Sequence, residues 1–141
     1  MIDKQSELII AIQQLLAEVD EFGGAVIEDS VLRVIDAEDS EWPASCIVLQ
    51  PGQTEEVERV NIKSLRERFV VNVTLVTSKR DFAPLFRAGR LAVKSVFSGR
   101  KAGLEVAQEA GFLAETPMPP TNGRQFAAHV MPLQITYVQN Y

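Results

Sequence analysis

Apolar residues near the start of the chain recur with the period of an α-helix. Between residues 3 and 19 they lie at i, i+4, i+7, i+8 and i+11, which places them on one stripe: Leu8, Ile12, Leu15, Leu16 and Val19. The pair Gly23-Gly24 follows, and glycine accepts the left-handed backbone that is common just past a helix end. The pattern predicts an amphipathic helix over about residues 3–19.

The next part of the chain carries short apolar runs separated by polar segments. Three runs are typical of short strands: residues 25–27, 31–35 and 45–49. The acidic segment 36–43 is predicted to form a loop between the last two runs. Pro51-Gly52 is a turn signal, and the polar segment 53–61 is predicted to form an extended loop.

Two longer segments alternate apolar residues with others, which is the period of a strand that buries one face. In residues 65–77 the alternating apolar positions are Phe69, Val71, Val73 and Leu75. In residues 125–139 they are Met131, Leu133, Ile135 and Tyr137. Pro132 lies inside the second segment and cannot donate to a ladder, so it predicts an edge position or a bulge.

A second helix is predicted over about residues 81–97. Asp81 is a suitable N-cap, and Pro84 falls in the first turn, where a missing N–H is tolerated. The buried stripe of this helix is formed by Phe82, Phe86, Gly89, Val93, Val96 and Phe97. Residues 111–114 are predicted to form a short strand, and the Pro-rich segment 116–123 a mobile loop.

The order of these elements indicates an α+β fold in a single domain of residues 1–141. A chain of this length most often forms one domain and folds without a disulfide or metal. Sequential strands without regular crossover helices favour a mainly antiparallel sheet with the two helices packed on one face. Some strands would then leave their second face available to a partner.

Charge and cysteine content argue against several classes of function. A net charge of −5 disfavours specific nucleic-acid binding and adhesion to anionic membranes, because both use clusters of Lys and Arg. The single cysteine, Cys46, cannot form an internal disulfide and fits a reducing compartment. The chain start lacks the pattern of a signal peptide, and no apolar stretch approaches the ~18 residues of a membrane span. We therefore expect a soluble intracellular protein.

The sequence carries no recognisable catalytic or cofactor motif. The only histidine, His129, lies in phase with Met131 and Leu133 and is interpreted as part of a packed or subunit-facing surface. There is no nucleophile elbow and no P-loop. One cysteine and one histidine cannot form a zinc site. We expect no enzymatic activity, and no catalytic residue, cofactor or metal is assigned.

The remaining candidates are interface positions, beginning with an acidic loop. This loop contains Asp36, Glu38, Asp39 and Glu41, and it lacks the spacing of an EF-hand. It is interpreted as a solvated loop or as a patch that meets a basic surface. Trp42 follows directly and either anchors the loop on the core or acts as a binding anchor, since tryptophan is enriched in binding hot spots.

Two further pairs of residues complete the candidate interface. Arg66 and Arg68 alternate along the predicted strand 65–77, and their charges are either solvated or set the register of a neighbouring subunit. Pro119 and Pro120 lie in the Pro-rich segment, where a mobile loop would meet a partner.

Several elements resemble, in the same order, the tail terminator (tail completion) proteins of tailed bacteriophages, of the lambda minor tail protein U type and its prophage relatives. The resemblance spans nearly the whole chain. It is carried by the helix ending at Phe22-Gly23-Gly24, the Trp42-Pro43 step into the run 46–49 with its Gln50-Pro51-Gly52 turn, the strand 68–76, the helix 81–97 and the final strand 131–137.

The resemblance implies a structural protein that forms a hexameric ring on the last ring of the tail tube. Such a ring ends tube growth and offers a docking surface to the head. The implied partners are further copies of the chain, the tail tube protein and head–tail connector proteins. DNA would pass through the ring without specific binding, and an acidic channel would suit that passage. The implied location is the bacterial cytoplasm during assembly and then the virion tail.

Two alternatives stay open. A head–tail connector or neck protein of the same kind of particle would share these elements. A small ferredoxin-like ligand-binding domain or enzyme would instead use a pocket between sheet and helices, with convergent polar residues in apolar surroundings.

Overall fold

The computed structural model describes residues 2–35, 43–121 and 125–141. Within these ranges the chain forms three α-helices: α1 (Lys4–Leu16), α2 (Val31–Ile35) and α3 (Phe82–Val96). It also forms six strands: β1 (Val26–Glu28), β2 (Ser45–Asn61), β3 (Ser64–Thr77), β4 (Glu109–Phe112), β5 (Thr116–Met118) and β6 (Ala127–Asn140). A 3-10 turn, Asp20–Phe22, follows α1. None of the described helices is long and apolar enough to cross a membrane.

The described strands belong to one mixed sheet. Their order is β1-β2-β3-β6-β4, and β5 also pairs with β6. β1 runs parallel to β2, whereas the other pairings among the described strands are antiparallel. The predicted α+β class and the mainly antiparallel sheet are therefore confirmed.

The main core lies on the sheet face that carries the alternating apolar residues of β3 and β6. Phe69 lies opposite Ile135 and Val71 lies opposite Leu133, and all four side chains are buried. Helices α1 and α3 contribute to the same apolar cluster: Leu8, Ile9, Ile12, Leu16, Phe86 and Val93. The sequence periods that predicted these elements therefore mark the residues that pack together here.

A second apolar cluster lies on the opposite sheet face, next to α2. Val31, Val34 and Ile35 pack there against residues of β2 and β6. The strand predicted for this segment is wrong, because these three residues have the i, i+3, i+4 spacing of a helix. The N–H of Val34 donates to the Ser30 carbonyl at 3.2 Å, as a helical turn requires.

The largest departure from the sequence-based prediction is at residues 53–61, which form the outer half of β2 rather than a loop. β2 pairs with β3 from Ser45↔Thr77 to Asn61↔Ser64, with register shifts on the way. Every β2 residue from Pro51 to Asn61 is exposed, so this half of the strand has no buried face to impose an apolar alternation. Backbone pairing with β3 keeps it extended.

The sheet edge beyond β6 is formed by two short strands in succession. β4 pairs with residues 133–136 of β6, and β5 pairs with residues 128–130. The short strand predicted at 111–114 therefore begins and ends earlier. The segment 116–123, predicted to be a mobile loop, starts with the paired strand β5.

Pro132 occupies an internal strand, so the edge position or bulge predicted there is wrong. The register between β6 and β3 runs without a shift past Asn72↔Pro132. The Pro132 carbonyl accepts from the Leu113 N–H at 2.9 Å, which directs the proline nitrogen toward the same side. On that side of β6, Pro132 lies between the residues that pair with β4 and those that pair with β5. No strand therefore loses a hydrogen bond because of the missing N–H.

Gly89 allows α3 to approach the turn after α1. A Cβ atom at Gly89 would lie 2.5 Å from Cε2 of Phe22 and 3.3 Å from Cδ1 of Leu75. Phe22 is 1% exposed, so its ring would have to shift within the core to make room for a Cβ atom. Close packing here thus depends on the absence of a side chain.

We expect Gly89→Ala to lower the free energy of unfolding by about 1–3 kcal/mol, because overpacking outweighs the gain of about 1 kcal/mol in helix propensity. Urea unfolding measures the change. Gly111→Ala is the control, since a Cβ there meets nothing within 4 Å. Equal or higher stability of Gly89→Ala would contradict the packing described.

Candidate interaction surfaces

Five of the predicted interface residues lie outside the described residues. They are Asp36, Glu38, Asp39, Glu41 and Trp42. Their assignment to an interface therefore stays a prediction.

Arg66 and Arg68 lie on the sheet face opposite the main core, because they alternate with Phe69. Arg66 forms an ion pair with Glu58 across the β2–β3 hairpin. Arg68 lies 3.6 Å from Glu55 in the next such pair. Their side chains are 30% and 37% exposed. Both arginines are thus matched within their own chain, and pairs of this exposure contribute little to stability.

Arg66 also reaches across β6 to the segment before β4. Its Nε donates to Oε1 of Gln108 at 2.9 Å. The Gln108 N–H in turn donates to the Thr136 carbonyl at 2.8 Å. One arginine therefore connects the hairpin with the opposite sheet edge.

Pro119 and Pro120 follow β5 and are exposed. Pro119 borders a small hollow of about 180 Å³ with Ile35, Met118 and Phe126. β5, which precedes the two prolines, pairs with residues 128–130 of β6, whereas Arg66 and Arg68 lie opposite Val138 and Thr136 near the other end of that strand. The structure thus divides these predicted positions between the projecting hairpin and the segment after β5.

A projecting arm is a surface that sequence reasoning missed. We define the arm as residues 53–68, which comprise the outer part of β2, the turn at 62–63 and the start of β3, together with residues 136–140 of β6. These strands remain paired to Asn61↔Ser64 and Ser64↔Asn140. Near its end the arm exposes Val57, Val60 and Ile62 at 39%, 46% and 85%. These exposed apolar residues make the end of the arm a candidate contact surface.

The arm is joined to α1 by hydrogen bonds around a buried tyrosine. Tyr137 is fully buried, and its hydroxyl donates to Oε1 of Glu67 at 3.0 Å. Gln5 donates from Nε2 to the Tyr137 hydroxyl at 2.9 Å and to Oγ1 of Thr54 at 2.8 Å. Burial raises the pKa of the Tyr137 hydroxyl well above its usual range. The hydroxyl therefore keeps its proton and holds three elements together.

We expect Tyr137→Phe to lower the free energy of unfolding by about 1–2 kcal/mol, because Gln5 and Glu67 lose a buried partner. The N-terminal turn of α1 should also show faster amide exchange. Thermal unfolding and hydrogen exchange measure the two effects. Tyr141→Phe, at an exposed ring, is the control. Unchanged exchange in α1 would contradict the connecting role of the hydroxyl.

A charged cluster around Glu115 lies at the end of the sheet that is away from the arm. Glu115 accepts from Nε and Nη2 of Arg90 at 2.7 and 2.8 Å, and its Oε2 lies 2.9 Å from Nζ of Lys94. Its Oε1 lies 2.7 Å from Nε2 of His129, whose ring stacks on Phe86 at 5.9 Å. One carboxylate thus joins the β4–β5 connection to α3 and β6.

The same partners explain the acidity of Glu115. The hydrogen bonds from Arg90 hold the pKa of this carboxyl far below its usual range, with further lowering by His129 and Lys94. Glu115 is 14% exposed, so the ionised form depends on these donors. The histidine that the sequence analysis placed on a packed surface is therefore engaged by a carboxylate and an aromatic ring.

We expect Glu115→Gln to lower the free energy of unfolding at pH 7 by about 1–2 kcal/mol, after allowance for the partly exposed Arg90 and Lys94. The lowered folded-state pKa means that this stability is present above pH 4.5, the ordinary glutamate value, and is lost as pH falls below it. In urea unfolding between pH 3 and 7, the free energy of unfolding of the variant should fall less steeply toward low pH than that of the wild type. Glu105→Gln is the exposed control, and an identical fall in the variant and the wild type would contradict the linkage.

Two further features concern the potential metal ligands and the hollow beside His129. Among the described residues, no group of three or more His, Cys, Asp or Glu is placed to hold a metal ion. The hollow beside His129 is small and lined by Phe82, Phe86, Arg90 and Pro117.

The chain is similar in fold to a solved structure described as "Virion of native gene transfer agent (GTA) particle". The two chains are 13% identical, with a TM-score of 0.62 over 91% of this chain and 92% of the other. At this identity the similarity shows a shared fold. No protein-family model matches the chain, and no curated protein matches it.

Proposed function

We propose that this protein is a structural component of a phage-like particle that caps the tail tube as a ring, ends tube polymerisation and provides the docking surface for the head. The observation that supports it most is the near full-length fold similarity to a chain of a gene transfer agent virion. The coverage of both chains means that the whole fold, rather than a shared supersecondary unit, is alike. Function on a shared fold still depends on its surfaces.

The surfaces support an assembly role over a catalytic one. The arm exposes apolar side chains at its end, with Ile62 the most exposed at 85%. The polar groups that are most tightly held, around Glu115, are matched to one another and bind elements of the same chain. Contacts between copies and with other virion proteins are the use that such surfaces favour.

A neck or head–tail connector protein is the second candidate, because the same fold similarity supports any structural protein of such a particle. The two candidates differ in what their loss does. A terminator stops the tube, whereas a connector joins a finished tail to the head. Tube length is therefore the measurement that separates them.

We expect particles assembled without this chain to contain tubes of uncontrolled length and heads without tails. Negative-stain electron microscopy measures tube length, and supply of the intact chain in trans should restore one defined length. Tails of normal length that fail to join heads would favour the connector. Normal, complete particles would contradict both roles.

A further inference from the structure

The end of the arm, which we call the tip, comprises residues 60–63. It exposes apolar side chains with positive charge beside them. Val60, at the end of β2, is 46% exposed, and Ile62, in the turn between β2 and β3, is 85% exposed. Lys63 follows Ile62 directly, and Arg59 lies one strand position before Val60. Two acidic residues farther down the arm, Glu55 and Glu58, are paired with arginines of β3, and Glu67 accepts a hydrogen bond from Tyr137.

A groove of about 340 Å³ lies between α1 and β2 at Pro51. Its apolar lining comes from Ile9, Ile10, Pro51 and Phe69. Ile10 is 55% exposed there, on the helix side that does not face the core. The groove therefore offers one well-exposed aliphatic side chain, Ile10, among polar neighbours that include Gln5, Ser6 and Gln13.

The border of the groove carries negative charge. Asp3 and Glu28 both line it, at the start of α1 and at the end of β1. The tip of the arm and the groove are thus complementary in two respects. Each presents an exposed isoleucine with charged residues beside it, positive on the tip and negative in the groove, which favours association in one orientation.

The tip cannot reach the groove of its own chain. Pro51 in the groove pairs with Val71, whereas the tip begins beyond Ser64, seven residues farther along β3. A paired strand rises by about 3.3 Å per residue, so the ladder holds the tip roughly 23 Å from Pro51. A groove on another copy is therefore the one that the tip can enter.

We propose that the arm of one copy inserts Ile62 into the α1–β2 groove of a second copy, with Lys63 directed toward Asp3 and Glu28. The two surfaces differ, so the contact is heterologous and each copy keeps one free tip and one free groove. Repetition of such a contact builds a ring or a filament. The contact deepens the proposed capping function by naming the surfaces that join neighbouring subunits.

Complementation between two defective variants tests the proposal. Ile62→Asp damages the tip and Ile10→Asp damages the groove, and each should weaken self-association by about 10–100-fold. An equimolar mixture should form a dimer and nothing larger, because one intact tip and one intact groove remain. Leu91→Asp, at a 61% exposed residue of α3, is the matched control and should associate like the wild type. Light scattering at increasing protein concentration gives the masses, and circular dichroism verifies folding.

Charge reversal provides a second, independent measurement. Lys63→Glu and Glu28→Lys should each weaken association, and the double variant should recover it, because the pair is restored in the opposite sense. Cysteines at positions 62 and 10, introduced in separate chains and joined by a short bismaleimide, should cross-link only when both chains are present.

Several results would overturn the proposal. Wild-type protein that stays monomeric up to about 1 mM and gives no cross-link would exclude the contact between copies. Oligomers that tolerate Ile10→Asp but not Ile62→Asp would indicate a symmetric tip-to-tip contact instead. Both measurements use the protein alone, so they can fail while tube length is still controlled, or succeed while it is not.

Discussion

Strand β3 pairs along its whole length with a neighbour on each side, and the rest of the structure depends on that double pairing. The ladders to β2 and β6 both extend from Ser64 to Thr77. Since side chains alternate along a strand, this register alone places Phe69 and Val71 on the face of α1 and α3, and Arg66 and Arg68 on the opposite face. A slip of one residue on β3 would exchange those faces.

Strands β2, β3 and β6 each pass through two different environments. Their inner half lies between two apolar clusters, one beside α1 and α3 and one beside α2. Their outer half forms the arm, where backbone pairing, cross-strand ion pairs and the Tyr137 hydrogen bonds replace apolar burial. Stability is thus concentrated at one end of the sheet, and the other end is free to present a surface.

Two hydrogen-bonded groups fix the ends of this arrangement. Tyr137 connects the arm with α1, so the groove beside α1 and the base of the arm are held in a defined relation. Glu115 joins α3 to the far edge of the sheet through Arg90 and His129. Because these groups are already ordered, a contact formed at this surface would carry a smaller entropic cost.

The sequence by itself determined the two long helices, the two long strands and the α+β class, because each depends on a local period of apolar residues. It also indicated that His129 belongs to a packed surface. Only the tertiary structure decided that residues 53–61 are a strand and that Pro132 is internal. Each of these depends on a partner distant in the chain, such as β3 opposite the exposed half of β2. The position of the arm's end depends on how far β2 and β3 stay paired, and the α1–β2 groove depends on where α1 packs beside β2. Local composition encodes neither.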